Sequence, residues 1–256
     1  MTRIAFVGGA GRMGQALASG FSELLDFKVV ALVDPGTPRD MFGATHVSSV
    51  ESLDVDGVDV VIDFSHPDSV VRSAQWCGTN SKGLVVGTTG LSAEQRATVA
   101  ASFTSSGAVI ASNFSIGAVL SERFAAMAAP YFDRVEIIEL HHDKKVDAPS
   151  GTSLTTAAAI RAARAAAGRF TPAEPTERFT LDHARGADAG DGIHVHSVRL
   201  PGLVAHQEIL MGGPGEGLTI RHDSYDRVSF VQGVALAARN VGAITGLVEG
   251  IEQFLD

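Results

Sequence analysis

Residues 4–14 read IAFVGGAGRMG, and the rest of the chain is organised around this stretch. Ile4–Val7 is a short apolar run of the kind that forms a buried parallel strand. Gly9-x-Gly11-x-x-Gly14 follows it, and Met13 to Leu25 then carries Leu17, Phe21 and Leu24 at helical spacing. Glycines between a strand and a helix let the backbone approach a pyrophosphate closely. The helix start offers that anion N–H groups and the positive end of a dipole. A second strand over Phe27–Val33 ends at Asp34, 20 residues past Gly14, where a carboxylate can accept hydrogen bonds from an adenosine ribose.

Outward from this unit, apolar runs at Val58–Phe64, Leu84–Val86 and Ala108–Ala111 alternate with helical patterns at Ser69–Cys77 and from Ser92, a good N-cap, to about Phe103. Such alternation predicts a parallel sheet with crossover helices. The pattern changes near Asn113. Ile116–Ala129 reads as helix up to Pro130, Arg134–Leu140 as strand, Ser150–Ala167 as an Ala-rich helix and 168–191 as a long loop. Three alternating runs, Ile193–Leu200, Leu203–Met211 and Leu218–His222, are separated by Gly and Pro and predict antiparallel or mixed strands. From Val228 the chain reads as helix, broken near Gly242–Gly246, and is expected to pack back on the first domain. The expectation is an α/β protein: a Rossmann-type doubly wound parallel sheet plus a smaller α+β domain with a mixed sheet. The dinucleotide-binding domain is expected over 1–112, completed by a C-terminal helix 228–256. A substrate-binding and oligomerisation domain is expected over 113–227.

The net charge of −9 argues against nucleic acid or an anionic membrane surface as partner, because both require a basic face. Cys77 is the one cysteine, so neither an internal disulfide nor a cysteine zinc site can form, which fits a reducing, cytoplasmic setting. No apolar run is long enough to span a bilayer. The apolar stretch from Ile4 is cut by a Gly-rich turn and Arg12, unlike the core of a signal peptide.

Residues 139–152 read ELHHDKKVDAPSGT. Two histidines end a strand, Lys145 follows His141 by four residues, and Ser150 can cap a helix whose first N–H groups belong to Gly151 and Thr152. A group titrating near neutrality, a cation and an anion cradle together describe a pocket for a small polyanion with a general acid in it. His142 is as well read as a structural histidine as a substrate contact, and Asp147 as a residue that orders the loop. A metal site involving His141, His194, His196, His206 and His222 is the competing reading, but no HExxH pattern or zinc-like spacing supports it, and no metal is expected. For the cofactor, Asp34 favours NADH, whereas a guanidinium at Arg12 favours the 2′-phosphate of NADPH, so both stay open.

Taken in order, Gly8–Gly14, Asp63-Phe64-Ser65, Gly87-Thr88-Thr89-Gly90, Ser112 to Gly117 and Glu139 to Thr152 resemble the dihydrodipicolinate reductases, also called 4-hydroxy-tetrahydrodipicolinate reductases, of lysine and diaminopimelate biosynthesis. The resemblance covers nearly the whole chain, including His222 to Phe230. It implies NAD(P)H-dependent reduction of 4-hydroxy-tetrahydrodipicolinate, by way of dihydrodipicolinate, to tetrahydrodipicolinate. It assigns Gly8, Gly9, Ala10, Gly11, Arg12 and Met13 to the cofactor pyrophosphate and Asp34 to the ribose. Gly87, Thr88, Thr89, Ala111, Ser112, Asn113 and Phe114 would line the nicotinamide end. His141 would be the proton donor, Lys145 would bind a substrate carboxylate or assist protonation, and His142, Gly151 and Thr152 would complete the site. It also implies a homotetramer joined through the second domain. Two positions depart from the family pattern: Ala205 stands before His206 where many members carry Gly, and Pro35-Gly36 follows Asp34 where members often carry an Arg for the 2′-phosphate. Two further readings compete with this one. Another two-domain dehydrogenase acting on an amino or keto dicarboxylic acid would share the glycine loop without needing Lys145 beside Ser150-Gly151-Thr152. A non-catalytic dinucleotide sensor would need only residues 8–34.

Overall fold

The computed structural model describes residues 1–172, 174–182 and 184–255. Ala173 and His183 of the expected loop, and Asp256 at the end of the expected C-terminal helix, lie outside the described residues. The chain divides into two units, Met1–Ile116 with Arg227–Asp256, and Gly117–Asp226.

In the first unit the strands are β1 (Thr2–Val7), β2 (Phe27–Val33), β3 (Thr45–Val47), β4 (Val60–Asp63), β5 (Gly83–Val86) and β6 (Gly107–Ile110). The helices between them are α1 (Arg12–Ser22), α2 (Pro67–Thr79) and α3 (Ala93–Ser102). Side chains alternate across each strand. Ala5 and Val7 therefore join the core under α2 and α3, with Val70, Cys77 and Val99. Ile4 and Phe6 point to the other face, where Phe6 meets Phe21 of α1 edge-on at 5.3 Å. Complete burial of a side chain such as Phe21 contributes about 1.5–3 kcal/mol. Helix α3 begins as its sequence indicates: the Ser92 hydroxyl accepts from Gln95 N–H while the Gln95 side chain accepts from Ser92 N–H.

The C-terminal segment corrects the sequence reading. A single-turn 3₁₀ segment, Arg227–Phe230, leads into a helix over Val231–Asn240, and Gly246–Glu249 then forms a strand, not a second stretch of helix. This strand runs parallel to β6, with Leu247 opposite Ala108, and closes one edge of a seven-stranded sheet.

The second unit contains α4 (Ile116–Ala128, its first residue belonging to the first unit), β7 (Arg134–His141), α5 (Gly151–Ala166), β8 (Ala187–Asp188), β9 (His194–Arg199), β10 (Ala205–Gly213) and β11 (Glu216–Ser224). The C-terminal helix and strand complete the numbering as α6 and β12. The first sheet then runs β12-β6-β5-β4-β1-β2-β3, all parallel, and the second β11-β10-β7-β9-β8, in which only β7 and β9 are parallel. One face of the second sheet packs Val135, Ile137, Val195, Ile209 and Met211 against Ala125 of α4 and Ile160 of α5. Arg164 of α5 is fully buried and donates to the carbonyls of Phe132 and Asp133 at 2.7 and 2.6 Å, tying the helix to the entry of β7.

Candidate active site

In the first sheet β1 lies between β4 and β2, so the direction of chain progression reverses there. Ligands of open α/β sheets bind outside the carboxyl ends of the strands at such a point. Gly8 sits at φ +83°, and a Cβ on it would overlap the Phe64 carbonyl; a Cβ on Gly14 would overlap the Gly8 carbonyl. These two glycines let the start of α1 approach the end of β1. Gly8 and Gly9 donate to Val33 O, Ala10 donates to Asp34 Oδ2 at 3.0 Å, and Gly11 donates to Gly8 O. The loop is thus held by its own N–H groups. Arg12 and Met13 open the helix, whose first turn presents N–H groups that no helical carbonyl can reach.

Asp34 is a brace as well as a candidate ligand. Its Oδ1 accepts from Gly36 N–H at 2.8 Å while Oδ2 holds Ala10, and each oxygen retains a lone pair for a ligand hydroxyl. It lines a pocket of about 390 Å³ with Gly8, Gly11, Phe64, Ser65 and Arg72. Arg12 belongs to a different pocket, of about 460 Å³, shared with Gln15, Arg39, Asp40 and Arg227. Ala10, which Asp34 holds, also lines this second pocket, so the two adjoin at the glycine loop. Sequence reasoning missed Arg72, which α2 presents and which no motif signals.

The other predicted cofactor residues gather at the ends of β4, β5 and β6. Asp63 is fully buried at the end of β4 and accepts from the hydroxyls of Ser65, Ser73 and Thr88 at 2.5, 2.7 and 3.1 Å. Burial pushes its carboxyl up, and the surrounding hydroxyls only partly oppose this. Gly87 has no room for a side chain because the Phe64 ring lies over it, and Phe64 in turn packs on buried Phe114 at 5.6 Å. Ala111 donates to Val86 O at 3.0 Å, and Asn113 Oδ1 accepts from Ser115 N–H at 2.9 Å. Thr89 and Ser112 are exposed.

In the second unit β7 delivers Glu139 and His141 to the face covered by α5. His141 Nδ1 lies 2.5 Å from Glu139 Oε2. Arg199, opposite His141 on β9, holds both Glu139 oxygens at 2.8 Å, and Ser150 N–H donates to Oε1 at 3.2 Å. Burial pushes the Glu139 carboxyl up, but hydrogen bonds from Arg199, Ser197 and His141 outweigh it and hold it below the usual carboxylate range. Burial also pushes the His141 imidazole down; Glu139 opposes that, Lys145 and Arg199 reinforce it, and the ring ends below its ordinary value.

Lys145 Nζ contacts both oxygens of Asp147 at 2.7 Å, so its charge is shared before any ligand arrives. His142 is exposed, one residue beyond the strand. Gly151 and Thr152 form the first turn of α5, capped by the Ser150 hydroxyl on Ser153 N–H. Ser153 continues to Gln207 Oε1 at 2.7 Å, and Gln207 Nε2 to Thr156, so buried side chains pin the helix start to β10. Glu139, Arg199 and Gln207 are the residues sequence reasoning did not single out. Glu139 stands inside the quoted motif, whereas Arg199 and Gln207 are brought to it only by sheet pairing. Among the described residues no three His, Cys, Asp or Glu side chains gather as a metal would require. His206 pairs instead with Asp223 at 2.7 Å, and His196 with Glu136 at 2.7 Å.

Residues 2–114 match the family model for the N-terminus of dihydrodipicolinate reductase, and residues 117–255 match the model for its C-terminus. The chain belongs to the dihydrodipicolinate reductase family. It is an oxidoreductase, and this family is NAD(P)-dependent, with a nucleotide-binding first domain. The chain is 48% identical to a 4-hydroxy-tetrahydrodipicolinate reductase from Nocardia farcinica and 44% identical to one from Corynebacterium diphtheriae, in both cases over 99% of this chain and 98% of the relative. Among solved structures, dihydrodipicolinate reductase from Paenisporosarcina sp. TG-14, with dipicolinate bound, superposes with a TM-score of 0.87 at 41% identity over 99% of each chain. Among the described residues no helix is long and apolar enough to cross a membrane.

Proposed function

We propose that this chain reduces 4-hydroxy-tetrahydrodipicolinate, through its dehydrated form dihydrodipicolinate, to tetrahydrodipicolinate in lysine and diaminopimelate biosynthesis. It would use NADH or NADPH and act in the cytoplasm. The observation that carries this reading is a histidine on a buried carboxylate, His141 on Glu139, a few residues from Lys145 and the N-terminus of α5. A dicarboxylate ring needs both anion sites, and a reduction that leaves a ring carbanion needs the acid.

The first unit fits the cofactor: Gly8 and Gly14 tolerate no Cβ, and Asp34 borders a pocket of about 390 Å³. Arg12 and Met13 would meet the pyrophosphate with their N–H groups, Gly8 to Gly11 would shape the loop beneath it, and Asp34 would accept from the ribose. Gly87, Thr88, Thr89 and Ala111 to Phe114 would frame the nicotinamide end. A reduced nicotinamide bound there supplies a hydride. His141 delivers a proton from Nε2 to the ring carbon next to the one reduced, C4, completing saturation of that bond. Lys145 and the N–H groups of Gly151 and Thr152 hold the carboxylates, and His142 borders them.

The second unit would also carry assembly into a homotetramer. Ile138, Leu140, Val198 and Leu210 lie half-buried on the sheet face opposite α5, which supports a partner sheet there.

The test is loss of reduced-nicotinamide absorbance when purified protein meets substrate generated in situ by the synthase that makes it. Oxidation of either cofactor, dependent on that substrate, is expected. No oxidation there, with turnover of an amino or keto dicarboxylic acid instead, would overturn the reading.

A further inference from the structure

The carboxylate behind His141 is fully used. The donors to Glu139 are His141 Nδ1, two Arg199 nitrogens, Ser150 N–H and Ser197, enough to occupy the four good acceptor positions of a carboxylate. An ionised carboxylate only accepts, so Nδ1 carries a hydrogen and Nε2 is the atom that gains and loses a proton. Such a carboxylate alone would hold the ring as imidazolium. Arg199 cancels it through a bidentate contact, and Arg199 is itself anchored on the carbonyls of Val198 and Asp147 at 2.8 and 2.7 Å. The other charged groups facing the ring are Lys145 and, bonded to it, Asp147, with His142 next along the chain. From β10, Ala205 and Gln207 bring no charge, and neither does Ser150, the cap of α5, or Ser153 within it. The charges around Nε2 therefore sum to nearly zero while no ligand is present.

We propose that Glu139 and Arg199 are positioning residues that keep His141 neutral until a dicarboxylate binds, and that the ligand's own two negative charges load the acid by drawing a proton onto Nε2. The proposal rests on the reading of His141 as the proton donor and adds when it is charged. Two anionic groups beside an imidazole in a half-buried site favour the charged ring. The direction of the His141 shift, below its ordinary value, agrees with a site that waits unprotonated. The proton comes from solvent and is taken up with the ligand, and the same proton then leaves to the substrate carbon. Each turnover thus consumes one proton, which the chemistry of reducing a double bond by hydride requires.

Calorimetry with pyridine-2,6-dicarboxylate, in buffers of different ionisation enthalpy, reads proton uptake without turnover. At neutral pH the wild-type protein is expected to take up a substantial fraction of one proton per ligand bound, and His141→Gln to take up almost none. In Arg199→Met the uncompensated Glu139 charges the ring in advance, so uptake falls and the pH at which turnover declines on the alkaline side moves up. Arg199→Lys restores part of the uptake. Should Arg199→Met not fold, nuclear magnetic resonance titration of His141 in the wild-type protein decides alone: its midpoint must rise when the dicarboxylate is added. An unchanged midpoint and no uptake, with turnover still lost in His141→Gln, would overturn the loading proposal and leave the acid intact. Uptake that vanishes in His141→Gln while that variant keeps turnover would support ligand-driven protonation and remove His141 as the acid.

Discussion

Asp63 and Glu139 are both fully buried carboxylates, one in each unit, and their surroundings move them in opposite directions. Asp63 is met by three hydroxyls, and burial wins: its carboxyl is raised. Glu139 is met by a bidentate guanidinium, and pairing wins over burial: its carboxyl is lowered. Neutral donors satisfy the geometry of a carboxylate without neutralising its charge, whereas Arg199 does both. The contrast extends to the two candidate sites. Main-chain N–H groups and absent side chains shape the site of the first unit. Charged side chains from separate strands make that of the second.

If that contrast holds, the most damaging change in the first unit is a methyl group. Gly14→Ala places a Cβ onto the Gly8 carbonyl, so either the loop or the start of α1 must shift. Cofactor affinity measured by calorimetry should fall about a hundredfold, corresponding to roughly 3 kcal/mol of overpacking. Affinity within twofold of wild type would show that the loop is more plastic than its packing indicates.

The two carboxylates should also part on neutralisation. Glu139→Gln leaves the buried side of Arg199 unpaired and should cost about 3 kcal/mol in denaturant unfolding. Asp63→Asn keeps a group that its hydroxyls can bond and should cost less than about 1 kcal/mol. The pH dependence has opposite sign at the two sites. A lowered Glu139 contributes stability above its unfolded value, and that contribution is lost as pH falls through its folded value. A raised Asp63 favours the folded state progressively as pH falls from its folded value towards the ordinary carboxylate range. Equal costs for the two substitutions would erase the distinction.

Much of the first site could be read from the chain because its determinants are local. Gly8–Gly14, Asp34 and the Ser92 N-cap each act within a few residues or across one neighbouring strand. β12 escaped detection because Gly246–Glu249 offers only Leu247 and Val248 between a glycine and a charge, not the wholly apolar run that marks β5 and β6. It is a strand because β6 pairs with it. The same limit hid Arg199: it stands 60 residues from Glu139, and only the parallel register of β7 and β9 sets it opposite His141. Arg12 shows a subtler limit. Its position at the helix start is legible, but not that the fold gathers Arg39, Asp40 and Arg227 around the same pocket.

Smaller effects sharpen the comparison within each site. Lys145 is already shared with Asp147, so Lys145→Ala should weaken pyridine-2,6-dicarboxylate about tenfold, the value of one charge-assisted contact. Thr152→Ala should act in the same direction by a smaller factor. Unchanged affinity in both would remove the anion site from the start of α5. Smallest is the change in cofactor choice. Asp34→Ala would remove the proposed ribose acceptors and a charge that repels a 2′-phosphate, so the ratio of kcat/KM for NADPH to that for NADH should rise by up to about tenfold. Because Asp34 also braces Ala10 and Gly36, both cofactors should lose some affinity. A ratio that does not move would take Asp34 away from the ribose.

The division of labour between the two units is tested most directly by His141→Gln, with turnover and cofactor affinity measured on the same preparation. Loss of a general acid should lower kcat about 10²–10⁴-fold, while the dissociation constants of NADH and NADPH stay within about twofold of wild type, a change under 0.5 kcal/mol. Turnover within about threefold of wild type, or a fall in cofactor affinity matching the fall in kcat, would contradict the assignment of protonation to the second unit.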